Sequence, residues 1–553
     1  MSSAHAGPGR RVEFDAPIFF AFAASLGIAL ALGTWLRLHG LGDQVVQDDE
    51  WHAINKLMAA GYGEIFRSFG DSDHSIPLTL LYKAMAGTVG LTEIDMRIVQ
   101  AFAGIALIPA AAAIAWAASR SRAATLLCAF LVSGAPFLVL YSRTARPYAI
   151  TTLLVVAALA GLWRWRERRT WELGAAICGL IALSAWLHPV SAMFPAVALI
   201  FIFLDDLRGG RAAGRRLART AALGVAAALS IAALLAAPIM SDWGSLSAKA
   251  GGDHADAYTI ARALSLFAGG LPDPLTFLVT LVAAFGALRT IRRAPALGTY
   301  LAVLATVPVL LVMLLGARWT QQGHTFARYV FPVQVIYLIW MSIGFAGLVH
   351  EATRRTRPGL ELALAAFAAA GYLVVNPAIR QVATLGPWYG HLYHHFDYVA
   401  AHNVAQLAYL GYEPPRFYRR LDALEPHSVT LIEAPFTLEA PVNDLAFLSL
   451  SHHQREIIGL IHDLCLEGPL DGEVPKDGRF RFRNFVFLDD REAVLATGAR
   501  YLLLRRDQIH GRPFREADRC LAALTKLYGE PVDVDSRLAV FDLHPAGASR
   551  KLQ

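Results

Sequence analysis

The run Gln47-Asp48-Asp49-Glu50-Trp51-His52 follows closely on the first long apolar segment, and Asp71, Asp73 and His74 come soon after it. Carboxylates crowded against a membrane face are costly to hold there without a task. Two chemistries suit such a cluster. A carboxylate can accept the proton of a hydroxyl, which is a weak nucleophile while neutral. Several together can hold a divalent cation that neutralises a phosphate leaving group. The same residue types also suit a solvated loop with helix caps.

Cations that complement an anion stand in other short connections. Tyr141-Ser142-Arg143-Thr144-Ala145-Arg146-Pro147-Tyr148 places two arginines in one turn, and Gln321 to Tyr329 brings His324 and Arg328 next to Tyr329. A guanidinium offers a rigid fork that matches phosphate oxygens, and its charge is permanent. Snorkelling to the membrane surface is the other use of such arginines. Lys83, in the first long loop, can reach a phosphate at the interface, while His324 also fits a hydrogen-bonded interfacial histidine. His391, His394 and His395, like His452 and His453, read as interface packing, because no cysteine or acidic ligand set accompanies them. The chain has no phosphate-binding glycine loop, no Gly-x-Ser-x-Gly elbow and no His-Glu-x-x-His signature.

The elements that must position these residues are membrane helices. The chain is 55% hydrophobic with 17% charged residues and a mean hydropathy of +0.42, whereas soluble domains carry about a quarter charged. Eleven apolar segments are expected near 16–36, 97–118, 123–140, 146–163, 172–187, 189–204, 220–240, 272–288, 297–317, 329–349 and 359–377. The first is read as a retained anchor, being too long for a cleaved signal. His188-Pro189 is read as a tight hairpin between the fifth and sixth.

Arginines concentrate in alternate connections, among them Arg10, Arg120, Arg164, Arg208, Arg289 and Arg354. Positively charged short loops stay cytoplasmic, so the amino terminus is expected there and the carboxyl-terminal region outside. The net charge of +6 lies in these loops and calls for no nucleic-acid partner. Three parts follow: a transmembrane domain over 1–378, its first external loop over 37–96, and an external domain over 379–553. In the loop, Ala53, Leu57, Met58 and Tyr62, then Leu78, Tyr82, Met85 and Val89, keep helical spacing, as amphipathic helices on the membrane surface would.

The tail alternates like strands at 428–432, 479–487, 499–504 and 538–543, with helices from Asp489-Asp490 to Ala496 and from Glu516 to Tyr528. The fold class expected is mainly α, a polytopic helix bundle with a small α/β domain. Cys465 and Cys520 both fall in the exported part, where a disulfide persists, and are expected to pair; Cys128 and Cys178 fall in apolar segments and are read as packing residues.

Taken in order, these residues resemble a known family. The first helix, Asp49-Glu50 in an external loop, then His74 and Pro77 ahead of an amphipathic helix ending near Gly90 and Arg97, resemble the GT-C class of membrane glycosyltransferases. The likeness is to the bacterial branch related to protein O-mannosyltransferases and aminoarabinose (lipid A) transferases. Tyr141 to Tyr148 is similar to that branch's Ser-x-Glu-Ala-Arg-x-Tyr signature, with Thr144 at the position of the glutamate, and Arg328-Tyr329 followed by Pro332 is similar to its late element.

The resemblance implies a sugar donor carried on a polyprenyl phosphate, an acceptor that is an envelope glycan, lipid or protein, and a reaction at the external face of a bacterial inner membrane. It implies Asp49, with Glu50, as catalytic residues. Arg146, Arg328, Lys83, Arg143 and Tyr148 would bind the donor phosphate, and Asp48, His74, Tyr329 and His324 would line the substrate pocket. A divalent cation at Asp49 and His74 is the one cofactor it leaves open. Two other readings stand beside it: a transporter or flippase of lipid-linked sugars, and a membrane protein that binds glycan lipids without chemistry.

Overall fold

The protein is seen in a computed structural model that describes residues 16–375 except 43–45, 47, 71–74, 209–212, 250, 253, 318–319 and 353–357. It also describes 378–379, 382 and 414–544, except 436–451, 453, 462–463, 466–473, 484, 510–511 and 514–515. His74, His391, His394, His395 and His453 lie outside the described residues, as does the side chain of Asp48.

The chain opens with α1 (Ala16–Leu38) and continues through a 3-10 turn at Asp48–Glu50 into the loop helices α2 (Trp51–Ala59), α3 (Tyr62–Arg67) and α4 (Ile76–Ala86). The bundle resumes with α5 (Glu93–Ser119), α6 (Arg122–Gly134), α7 (Pro136–Ser142), α8 (Tyr148–Trp165), α9 (Trp171–Leu187), α10 (Met193–Leu207) and α11 (Ala213–Ser241). It ends with α12 (Trp243–Ser247), α13 (Ala257–Ala268), α14 (Asp273–Arg293), α15 (Pro295–Leu315), α16 (Gly323–Tyr329), α17 (Phe331–Ala352) and α18 (Pro358–Val375). Among the described residues eight helices are long and apolar enough to cross a membrane, or nine if the bent pair α6 and α7 is one span. The shorter apolar helices α9 and α18 answer to the other two expected segments.

Two local devices hold the site's supports. Pro136 has no N–H to offer the carbonyl four residues back, and the chain bends by 53° between α6 and α7. Arg37, fully buried at the end of α1, donates to the freed carbonyls of Val132 (3.0 Å) and Ser133 (2.9 Å) and to Ser142 Oγ (3.2 Å). α14 and α17 meet backbone to backbone: a Cβ on Gly286 would lie 1.8 Å from the Trp340 carbonyl and one on Gly344 1.9 Å from that of Val282, the close approach small residues permit in membranes.

The tail carries α19 (Arg416–Asp422), β1 (Thr430–Ala434), β2 (Arg455–Leu460), β3 (Phe485–Phe487), α20 (Arg491–Ala496), β4 (Tyr501–Arg505), the small pair β5 (Gln508–Ile509) and β6 (Arg512–Pro513), α21 (Ala517–Tyr528), β7 (Asp533–Val534) and β8 (Leu538–Asp542). Six strands form one sheet in the order β3-β2-β1-β4-β8-β7, parallel from β3 to β4 and antiparallel beyond. A disulfide joins Cys465 to Cys520, while Cys128 and Cys178 are free and buried.

The apolar faces of the loop helices are filled by protein. Trp51, Ala53, Ile54, Leu57, Leu78 and Tyr82 form one core with Ile458, Leu460, Val474 and Phe482 of the tail, so these helices pack under the C-terminal domain. Tyr62 and Val89, expected on the same faces, are exposed. The stretch expected as a strand from Arg479 divides in two. Only Phe485–Phe487 joins the sheet, whereas Phe480 bridges to Leu91 of the first loop. The bridge is closed by Leu91 N–H to the Arg479 carbonyl and Arg481 N–H to the Leu91 carbonyl, both at 2.8 Å.

Candidate active site

Asp49 sits on the 3-10 turn just before α2, Arg146 in the turn between α7 and α8, and Arg328 near the end of α16. Arg328 Nη1 bonds Asp49 Oδ2, and Arg146 Nε lies 3.7 Å from the same oxygen. Arg146 Nη1 also donates to the Asp49 carbonyl at 3.1 Å. The other carboxylate oxygen faces His52 Nε2 at 3.6 Å. The three side chains are 23%, 13% and 14% exposed.

Aromatic rings form the floor. Arg146 and Arg328 place their guanidinium carbons 5.9 and 5.7 Å from the Tyr148 ring centre, where the ring quadrupole favours cations. Tyr148 packs against Tyr141 and His188, and His188 against Tyr329, with ring centres 4.8, 5.4 and 5.7 Å apart. His324, one helical turn before Arg328 and hence on the same face of α16, shares a 3.1 Å hydrogen bond with the Tyr141 hydroxyl.

Burial alone would raise the Asp49 pKa, but the Arg146 and Arg328 guanidiniums, with His52, outweigh it and hold the carboxyl well below its usual range. His188 is pushed down to about 3 by burial and the same two arginines, so its ring is neutral. Burial lifts the Tyr329 hydroxyl to about 12.

Three residues expected at the reacting centre stand elsewhere. Glu50 is buried and fully engaged: Arg97 donates Nε to Oε1 at 2.8 Å and Nη2 to Oε2 at 2.6 Å, and the Ala145 N–H adds a bond to Oε1 at 2.6 Å. Its carboxylate thus ties the Asp49 turn, the start of α5 and the Arg146 turn together. Arg97 is placed for this by a capping box, Thr92 with Asp95, that starts α5. Arg143 is fully buried and donates to the Leu36 carbonyl at 3.0 Å. Lys83 donates to the Leu57 carbonyl at 2.8 Å, near the Tyr62 ring. All three tie elements to one another, since the backbone at those junctions needs partners. Thr144, at the resembled glutamate's position, turns its hydroxyl back to the Leu140 carbonyl at 2.9 Å.

His188 reads in the sequence as hairpin punctuation before Pro189, whereas the structure sets its ring between Tyr148 and Tyr329, beside the two arginines. The available signal was a titratable ring inside an otherwise apolar stretch. Among the described residues the side-chain charges closest to the Asp49 carboxylate are the Arg146 and Arg328 guanidiniums, which suit an arriving anion, while His74, its expected partner in a cation site, lies outside them.

Among the described residues one group has metal-ligand spacing: Glu433, His452 and Glu456, buried in the tail. The Gln454 N–H donates to His452 Nδ1 at 3.0 Å. That leaves the ring proton on Nε2, 2.9 Å from Glu456, where a metal would need a lone pair. The group is a buried pair of carboxyls beside a histidine whose Nδ1 already accepts a backbone hydrogen bond.

No family model matches the chain, and no curated protein matches it. Among solved structures it is similar to that of ArnT from Cupriavidus metallidurans in the apo state, with a TM-score of 0.46 and 12% identity over 96% of this chain and 99% of that one. It is similar also to the structure of ArnT from the same organism bound to undecaprenyl phosphate, with a TM-score of 0.43 and 14% identity over the same shares of each chain.

Proposed function

We propose that this chain is a membrane glycosyltransferase that moves a sugar from a polyprenyl-phosphate donor to a hydroxyl of an envelope acceptor, at the external face of a bacterial inner membrane. The observation that carries this reading is one carboxylate, Asp49, facing two guanidiniums delivered by separate elements. A base for the acceptor and a cradle for a departing phosphate are the two things such a transfer needs. The order of motifs along the chain, which resembles the GT-C class, supports the same reading.

In the reaction, the acceptor oxygen bonds to the anomeric carbon as the bond from that carbon to the phosphate oxygen breaks. The acceptor proton passes to Asp49, and the electron pair leaves with polyprenyl phosphate, whose added charge Arg146 and Arg328 hold. Displacement in one step inverts the anomeric centre. Tyr148 keeps the guanidiniums in place from below, and the neutral ring of His188 beside it adds no competing charge.

The test is transfer in membrane vesicles supplied with polyprenyl-phosphate sugars. Asp49→Asn, inserted at normal levels, should abolish turnover, and envelope glycans from cells lacking the protein should be short of one sugar by mass spectrometry. Turnover that survives Asp49→Asn would remove Asp49 from the role of base.

A further inference from the structure

The seat that the functional reading gives to the donor's phosphate is taken by an anion of the protein itself. Arg328 Nη1 and Arg146 Nε converge on Asp49 Oδ2. An Asp carboxylate presents to a guanidinium the same kind of paired oxygens that a phosphate presents. Asp49 is therefore in the place, and in the partnership, that the departing phosphate must occupy.

We propose that Asp49 is an internal stand-in for the donor phosphate, and that the arriving phosphate displaces it and so frees the base. This rests on the functional reading above and concerns how the same site is controlled. While two guanidiniums neutralise it, the Asp49 carboxylate is a weak proton acceptor, as its depressed pKa also indicates. The donor's phosphodiester carries one negative charge on two free oxygens, as the carboxylate does, so it can take the carboxylate's place on the two arginines, and the second charge it gains as the sugar leaves strengthens that hold. Asp49 then loses its strongest partners and gains a nearby negative charge, both of which raise its affinity for a proton.

Two consequences follow for the reaction sequence. Donor adds before acceptor, because an acceptor hydroxyl meets no competent base until phosphate is seated. Departure of polyprenyl phosphate resets the site, because Asp49 returns to the arginines and competes with the product for them.

The inference has a sign that ordinary loss-of-function reasoning would not give: removing the charge of the base should tighten binding of the phosphate. Binding of a polyprenyl monophosphate, without sugar, is measured on the purified full chain in detergent. Asp49→Asn should bind it about tenfold tighter or more than the unaltered protein. Asp49→Glu, which restores the carboxylate, should stay near the unaltered affinity, and Arg328→Gln and Arg146→Gln should each weaken binding about tenfold.

Phosphate binding that depends on the two arginines but is no tighter in Asp49→Asn overturns the stand-in and leaves the functional reading intact. Binding indifferent to both arginine substitutions overturns the functional reading itself. Thermal melting of each variant separates a lost contact from a lost fold.

Discussion

Asp49 and Glu50 are adjacent carboxylates in opposite surroundings, and the difference assigns their work. Asp49 is partly exposed at a face lined by cations, whereas Glu50 is enclosed, with Arg97 forked across both oxygens. Removing one partner of a buried ion pair leaves an uncompensated charge and costs about 3–5 kcal/mol. Glu50→Ala should therefore lower the melting temperature of the purified protein sharply and reduce transfer by displacing the Ala145–Arg146 turn. Glu50→Gln, which still accepts from the Ala145 N–H, should recover part of both. A Glu50→Ala protein that melts normally yet turns nothing over would return Glu50 to the reacting centre. The sequence marked the acids and arginines here as candidates, but the sorting of Asp49 from Glu50, and of Arg146 from Arg143, depends on contacts with Arg97 and Leu36, which are far from them along the chain.

At the scale of elements, the apolar segments were legible because hydrocarbon forces long uncharged helices on the sequence. Strands in the tail were less so. β2 (Arg455–Leu460) was hidden because Glu456 lies on a buried face and breaks the expected alternation. Glu433 of β1 shares that face with it, accepting from the Tyr418 hydroxyl. Burial, with the charge of Glu456, lifts Glu433 to about 7, and burial lifts Glu456 to about 8.

In the unfolded chain both carboxyls titrate near 4.3, so between that pH and about 8 the folded domain holds protons that the unfolded chain has released. Stability tied to these groups is thus fully present below about 4 and is lost as pH rises through about 7 to 8. Melting of the protein should shift downward over that window, and Glu456→Gln should flatten the shift and raise the melting temperature at pH 8. A slope unchanged by Glu456→Gln would exclude the carboxyl pair as its source.

For the whole molecule, the arginines in alternate connections predict the direction of insertion, and the proposed site accounts for the cation-rich turns around Arg146 and Arg328 at the opposite face. A reporter active only outside the cytoplasm, fused after Leu543, should be active, and one fused after Arg208 should be silent. The reverse pattern would place Asp49 on the cytoplasmic side and overturn the localisation. What no sequence pattern disclosed is that the tail and the first loop form one core. The alternation of Arg479 to Phe487 was visible as strand-like, but most of it is docked on Leu91 and Trp51.

That seam has a consequence in time. Trp51 is held between Val46, whose carbonyl takes its Nε1–H at 3.1 Å, and the rings of Phe482 and Phe485. The turn carrying Asp49 is synthesised well before the rings of Phe482 and Phe485 that support it. Until those rings have docked, the turn lacks its backing. The shape of the Asp49 turn therefore depends on the folding of the tail as well as on the bundle.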